Sequence, residues 1–278
     1  MSAFDDVATA LRNEFLSREL AGFELPGMGG ASLRLAGVGT IAPSAVRSPA
    51  LHAAAAAAGV ELRVACAHTT VGALVADPRW DLAVVLSPTK RDAVHAVDAC
   101  GPSAREAEVV DTVLRTPAGL IGLNTNVDAA GAAITRCVVP ARCGLVAILG
   151  TGASARSVAV ACRRWLPDAE VVLVGRSAER TAATAAALGL TAGSGAGADV
   201  VVNTTSWGET EASDAEPVGI DVEPLLAPGT VVFDINNRVS ALKRMALERA
   251  CAVVPGTLMQ RLVNGLRIAV AQRLLGLD

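Results

Sequence analysis

Residues 146–180 read VAILGTGASARSVAVACRRWLPDAEVVLVGRSAER, and this stretch decides the fold. It predicts a strand, a tight glycine turn, a helix, a second strand and a turn that opens at Gly175-Arg176-Ser177. Gly150, Gly152 and Ala155 fall on the small-residue positions of G-x-G-x-x-G/A. The first permits the turn, the second lets a pyrophosphate approach the backbone, and the third lets helix and strand pack closely. A helix opening at Ser154, just after Ala153, presents unbonded N–H groups and a partial positive charge to phosphate. The plain alternative is a glycine turn in an α/β domain with nothing bound.

Composition narrows the class. Of 278 residues, 52% are hydrophobic and only 18% charged, with a formal net charge of −3, which suits a globular core and gives no basic footprint for nucleic acid. No apolar run is long enough to span a bilayer, and Met1-Ser2-Ala3-Phe4-Asp5-Asp6 lacks the basic-then-apolar order of a signal peptide. The six cysteines (66, 100, 137, 143, 162 and 251) are scattered without a C-x-x-C pair, so reduced thiols and a cytoplasmic location are expected. His52, His68 and His95 show no ligand spacing, and no metal is expected.

Elements alternate on both sides of about residue 130. A first helix carries Phe4, Val7, Leu11, Phe15 and Leu20 at helical spacing, and Pro26-Gly27-Met28-Gly29-Gly30 breaks the chain. Strands follow at 33–38, 61–67 and 81–86, with an alanine helix at 50–58 between the first two. A helix at 91–99, strands at 108–114 and 120–123, and a helix from near Val127 complete the first half. The second half continues with a helix at 178–188, strands at 199–203, 231–234 and 252–254, a helix at 239–250 and a surface loop at 209–220. A long apolar helix at 258–275 is expected to return to the first domain. The fold class is therefore α/β in two domains. Residues 1–128, completed by about 256–278, form a mostly parallel α/β substrate domain, and 129–255 form a Rossmann-type dinucleotide domain.

Lys90 directly follows a buried strand, where open α/β sheets place functional loops. Composition alone favours a solvated charge there, but Asp111, Asn124, Thr125 and Asn126 stand at similar strand ends. A lysine beside a carboxylate can relay a proton during hydride transfer.

In order and spacing, Ser48-Pro49-x-x-His52, Pro88-x-Lys90, Val110-x-Thr112, Gly122-x-Asn124-Thr125, the glycine turn, Gly175-Arg176-Ser177 and Asn203-Thr204-Thr205 resemble the shikimate/quinate dehydrogenase family. The resemblance runs from about residue 35 to the end. It implies a two-domain enzyme of aromatic amino acid biosynthesis that interconverts 3-dehydroshikimate and shikimate with a nicotinamide cofactor, its substrate held in the cleft between the domains. Lys90 matches the family's catalytic lysine. It also implies Ser48, Ser87, Asn124 and Thr125 as substrate contacts, and Ile235 and Gly256 beside the cofactor.

The departures are specific. The family's V-N-T asparagine is here Asp111, and the N-T-D aspartate that partners the lysine is here Asn126. This exchange makes Asp111 a candidate to take over the lost acid's work, against the alternative of a decayed site. Only Ser48 survives of the S-x-S-P pair, the threonine four before the lysine is Leu86, and Gln260 or Asn264 must stand in for a missing glutamine. There is no tyrosine, so the D-x-x-Y motif becomes Asp234-Ile235-Asn236-Asn237. Each hydroxyl or amide lost from a buried polyol site costs about 1–3 kcal/mol, which makes quinate, aminoshikimate or another cyclic polyol or hydroxy acid an open alternative.

The cofactor half keeps its signals. Arg176 and Arg180, with Ser177 between them, stand where an NAD enzyme holds a carboxylate, and guanidinium groups there suit a 2′-phosphate. NADP is the expected cofactor. Thr204, Thr205 and Ser206 are expected on the nicotinamide side. The alternative of another class is a non-catalytic NADP-binding sensor. A monomer or homodimer acting on a small molecule is expected, without nucleic-acid or membrane partners.

Overall fold

The computed structural model describes residues 3–25, 27–215 and 219–277, with side chains from residue 8 onward. Two compact units result, Met1–Asp128 with Leu262–Asp278, and Ala129–Arg261. The last helix, Gly256–Leu275, changes unit at Leu262, later than the expected 256.

The first unit is built on six strands: β1 (Ser32–Val38), β2 (Glu61–His68), β3 (Leu82–Val85), β4 (Ala99–Cys100), β5 (Thr112–Thr116) and β6 (Gly119–Leu123). Their order is β2-β1-β3-β5-β6-β4. Pairings β1–β2, β1–β3 and β4–β6 are parallel, while β5 runs against both neighbours, and a tight turn at 116–119 sends it straight back into β6. β3 is buried at all four positions, as a central strand covered on both faces must be. Ala36, Val38, Leu74, Trp80, Val85, Val110 and Val113 pack in one cluster. The Trp80 indole N–H donates to Leu74 O at 2.8 Å, so its burial leaves no polar atom unpaired. In the helix Ala3–Glu19, Leu11 and Phe15 are buried one turn apart; the Phe4 and Val7 side chains of that apolar spacing, and Pro26 after it, lie outside the described residues.

Two expectations fail here for identifiable reasons. The apolar spacing at 91–99 gives only a 3-10 turn at Asp92–His95, followed by β4. The run 108–114 is not one strand: Pro102–Ala107 is a helix, and Glu108 closes it in the left-handed region at φ 52. Short helices at Ala42–Ala45, Val71–Ala76 and Glu211–Ala215, each under two turns, carry too little periodicity to read. The helix expected from Val127 begins at Thr125.

The second unit holds β7 (Leu145–Leu149), β8 (Glu170–Val174), β9 (Thr191–Ala192), β10 (Val200–Asn203), β11 (Val231–Asp234) and β12 (Ala252–Pro255). The order β12-β11-β10-β7-β8-β9 is parallel throughout. The chain winds outward from β7 to β9, then returns to the other side of β7 with β10. This is the doubly wound dinucleotide-binding order, and its switch point lies between the ends of β7 and β10. Helices Ala153–Trp165, Ala178–Leu188 and Ala241–Glu248 connect the strands.

Candidate active site

At the switch point Gly150 follows β7 at φ +109, a conformation that side chains rarely adopt. A Cβ there would stand 2.9 Å from Thr204 Oγ1, so the close approach of the β7 and β10 ends also requires glycine. Gly152 is different. It is the N-cap at φ −85, no side chain caps the helix, and a Cβ on it would meet nothing within 4 Å. The space beside Gly152 and the uncapped N–H groups of Ala153 and half-buried Ser154 make an anion cradle on a helix of 13 residues. Ala155 is fully buried, the third small position packing inward.

One strand over, Ser177 caps the helix Ala178–Leu188, its Oγ accepting from Arg180 N at 3.3 Å. Arg176 and Arg180 are exposed, four residues apart, and no protein partner engages either guanidinium among the described residues. Exposed guanidiniums beside an anion cradle fit a dinucleotide with an extra phosphate.

The threonines at the end of β10 are placed differently from expectation. Thr204 Oγ1 donates to Leu149 O at 2.6 Å, and Thr205 Oγ1 donates to Asn203 Oδ1 at 2.7 Å while accepting from Trp207 N. Both hydroxyls build the turn, which leaves exposed Ser206 as the polar group facing outward. Behind them lies a buried network that the sequence reading missed. The Asn203 amide donates to Asp234 Oδ1 at 3.0 Å and to Trp207 O, Ser240 Oγ donates to Asp234 Oδ2 at 2.7 Å, and Lys243 Nζ reaches the carbonyls of Asn236 and Arg238. Its signal was available: a polar residue closes each of the apolar runs DVVVN and VVFD. The network fixes the loop from Ile235, whose carbonyl oxygen would stand 2.1 Å from a Cβ on Gly256. Gln260 lies in this second unit, exposed, its Oε1 accepting from the Asn237 amide, so the expected place in the substrate domain is corrected.

In the first unit Lys90 is buried behind the chain turn that contains the cis Ser87–Pro88 bond, and Thr89 Oγ1 donates to Leu86 O there. Lys90 O accepts from Val110 N at 2.9 Å, and Asp111 O from Val85 N at 2.8 Å, so the lysine's turn and Asp111 share one strand end. Asp111 is fully buried. Its Oδ1 accepts from Thr112 Oγ1 at 2.7 Å and Thr125 Oγ1 at 2.9 Å, and its Oδ2 from Asn126 N at 2.8 Å. Asn124 Oδ1 accepts from Asn126 N and Val127 N, completing the cap of the helix Thr125–Thr135. A carboxylate at a helix N-terminus is favoured by the helix dipole. Asp111 therefore has both oxygens committed to this cap as a clamp, and the expected role of relocated acid would require one of them to be released. Thr125 serves the same clamp, while the side-chain amide of Asn126 makes no hydrogen bond among the described residues.

The charge on Asp111 has a partner that sequence gave no reason to expect. Arg267, three residues after buried Asn264 on the last helix, donates from Nε to Thr112 Oγ1 at 3.1 Å and from its guanidinium to Asp111 O at 3.3 Å. Burial pushes the Arg267 pKa down, and the Asp111 charge opposes that shift. Ser48 is half-buried without capping its helix, Ser87 is exposed, and Arg47 is exposed and bonded to Pro43 O. Elsewhere in this unit, Cys66, His68 and Asp77 come together with their ligand atoms within 4.8 Å of one another. Alternation along β2 brings the first two to one face, and Asp77 joins them from beyond the helix Val71–Ala76. Among the described residues, no helix is long and apolar enough to cross a membrane.

A glycine cradle at the switch point of a doubly wound sheet, with a second α/β unit bearing a buried lysine at a strand end, is the build of a two-unit dinucleotide-binding protein. The comparisons carry this to a family. No family model matches the chain. The shikimate dehydrogenase (NADP(+)) of Acidiphilium cryptum is 37% identical over 158 residues, 54% of this chain and 55% of that protein, so the match spans about half of that relative. The enzyme of the same name from Exiguobacterium sp. is 32% identical over 65% of this chain and 67% of its own length. The crystal structure of shikimate 5-dehydrogenase from Thermus thermophilus, in complex with NADP(H) and shikimate, superposes with a TM-score of 0.71 at 25% identity, covering 87% of this chain and 99% of that one. The chain belongs to the shikimate/quinate dehydrogenase family.

Proposed function

We propose that the protein is an NADP-dependent dehydrogenase of the shikimate type acting on a cyclic polyol or hydroxy acid, with a pocket altered from the family pattern. In this reading 129–261 binds NADP, and 1–128 with 262–278 binds the substrate. The observation that carries it is the open anion cradle at Gly152–Ser154 with Arg176 and Arg180 exposed beside it. NADP, when bound, supplies or accepts hydride. The chain's own part is to hold the phosphates at the helix N-terminus and move the proton. As the substrate's carbinol carbon gives up hydride, Lys90 takes the hydroxyl proton through Nζ and returns it in the reverse direction. Asn126 orients the substrate with its uncommitted amide, and Asn264 offers a second amide. Family membership also favours a cytoplasmic location.

A non-catalytic NADP-binding sensor is the second reading, favoured by the amide at Asn126 and the commitment of Asp111. Titration with NADPH and NADH by nicotinamide fluorescence, followed by absorbance assays on shikimate, quinate and aminoshikimate, separates the two. Turnover on any of the three with NADP supports the dehydrogenase. Cofactor binding with no turnover selects the sensor, and no NADP binding removes both.

A further inference from the structure

We propose that Cys66, His68 and Asp77 form a binding site for one zinc-type divalent cation in the first unit. β2 carries a register irregularity against β1 between the Leu35–Val64 and Ala36–Cys66 pairs, and such bulges re-aim the side chains that follow them. Beyond it, Cys66 and His68 lie two residues apart on one face, both half-buried. The helix Val71–Ala76 then delivers Asp77, itself buried, onto that face. His68 Nε2 is 3.1 Å from Asp77 Oδ2, and the Cys66 sulfur lies within 4.8 Å of the ligand atoms of both. One thiolate, one imidazole and one carboxylate form a donor set for zinc or cobalt, with a fourth tetrahedral position left for water.

Arg79 marks where the cation sits. Its guanidinium grips Asp77 from Nε to Oδ1 at 2.9 Å and from Nη2 to Oδ2 at 2.8 Å, with its own backbone N–H also on Oδ1. That side chain is 71% exposed, so it is free to swing into solvent. Arg115, lying 4.1 Å over the Trp80 ring, holds the Asp77 carbonyl at 3.0 Å and keeps the loop in place when Arg79 leaves. When a cation binds, the Cys66 thiol proton goes to solvent, a sulfur–metal bond forms, and Arg79 is displaced.

The test uses the full chain, treated with chelator and titrated with Co2+ and Zn2+. One Co2+ is expected to bind with a sulfur-to-cobalt charge-transfer band, and Zn2+ is expected to displace it. Cys66→Ser is expected to abolish the band, His68→Ala to weaken binding by about tenfold or more, and Arg79→Ala, which removes no ligand, to tighten it. The thermal unfolding of each variant reports that it is folded. Absence of binding by the wild-type chain, a band unchanged in Cys66→Ser, or weaker binding in folded Arg79→Ala would overturn the site.

Discussion

The Arg267 guanidinium lies 3.7 Å from the Asp111 carboxylate, and both side chains are buried. This pair accounts for half of the Asp/Asn exchange that sets the chain apart from its family pattern. A carboxylate at 111 needs a buried cation to balance it, and the last helix provides one. Breaking such a pair from one side costs about 3–5 kcal/mol, whereas replacing both partners costs far less. Arg267→Met is therefore expected to destabilise strongly, and Asp111→Asn also, while Asp111→Asn with Arg267→Met recovers most of the loss. Urea unfolding of the four proteins measures the coupling, and additive effects of the two substitutions would refute it.

Two glycines make opposite predictions. A Cβ on Gly256 would lie 2.1 Å from the Ile235 carbonyl oxygen, backbone that cannot turn aside, so Gly256→Ala is expected to cost on the order of 1–3 kcal/mol or more in stability. Gly152 faces open space at a negative φ, and Gly152→Ala is expected to melt like the wild type. Its methyl group would instead stand where the pyrophosphate must approach, so NADPH affinity is expected to fall while the melting temperature holds. Calorimetry and fluorescence titration on the same samples check both halves.

The strand, glycine turn and helix at 146–180 were legible in the sequence because they are local: turn, helix start and strand ends lie within 35 residues of one another, and the glycines state their backbone needs directly. Most strands were legible from apolar runs. The failures share a cause. At 91–99 and 108–114 tertiary packing overrode the periodicity, and a left-handed residue at Glu108 ended a helix whose chemistry gave no glycine signal. The clamp at Asp111 joins residues 111, 125 and 267, and no spacing rule connects an arginine in a long apolar helix to a strand end more than 150 positions earlier. The Thr204 and Thr205 hydroxyls look free in sequence but are taken up by the Leu149 carbonyl, the Asn203 side chain and the Trp207 backbone N–H.

In the proposed dehydrogenase, Lys90 and Asn126 divide the chemistry. Lys90→Met is expected to lower kcat by about 10²–10⁴-fold with NADPH binding unchanged, the size of a lost proton relay. Asn126→Asp is expected to raise kcat on shikimate, because it returns a carboxylate to the family position while Asp111 stays in its clamp. Steady-state kinetics on whichever substrate turns over checks both, and an Asn126→Asp enzyme no faster than wild type would count against a weakened dyad.

Acid stability has a contributor in the second unit. Asp214 accepts from the Ala241 backbone N–H at the start of a helix and from Arg244, and these hold its carboxyl pKa below the ordinary range. A carboxyl whose folded pKa is depressed adds stability above its unfolded value near ~4, and that stability is lost as pH falls through the folded value. Asp214→Asn is expected to lower stability at pH 7 and to flatten the loss below about pH 4. Urea midpoints measured from pH 7 downward show the sign; parallel curves for the two proteins would exclude the effect.

In the proposed reading, cofactor choice rests on Arg176 and Arg180. Both guanidiniums are exposed, and neither spends its donors within the described protein, so a 2′-phosphate would find them ready without breaking an ion pair. Hydrogen bonds to a charged group contribute about 1.5–3 kcal/mol each, or roughly 10–100-fold in affinity. Arg176→Ala and Arg180→Ala are each expected to weaken NADPH within that range and to leave NADH unchanged, since NADH has no phosphate at that position. The double variant is expected to bind the two cofactors alike. Equal losses for NADPH and NADH would mean that the arginines hold the loop and not the phosphate, and raising the salt concentration in the same titration should weaken NADPH more than NADH.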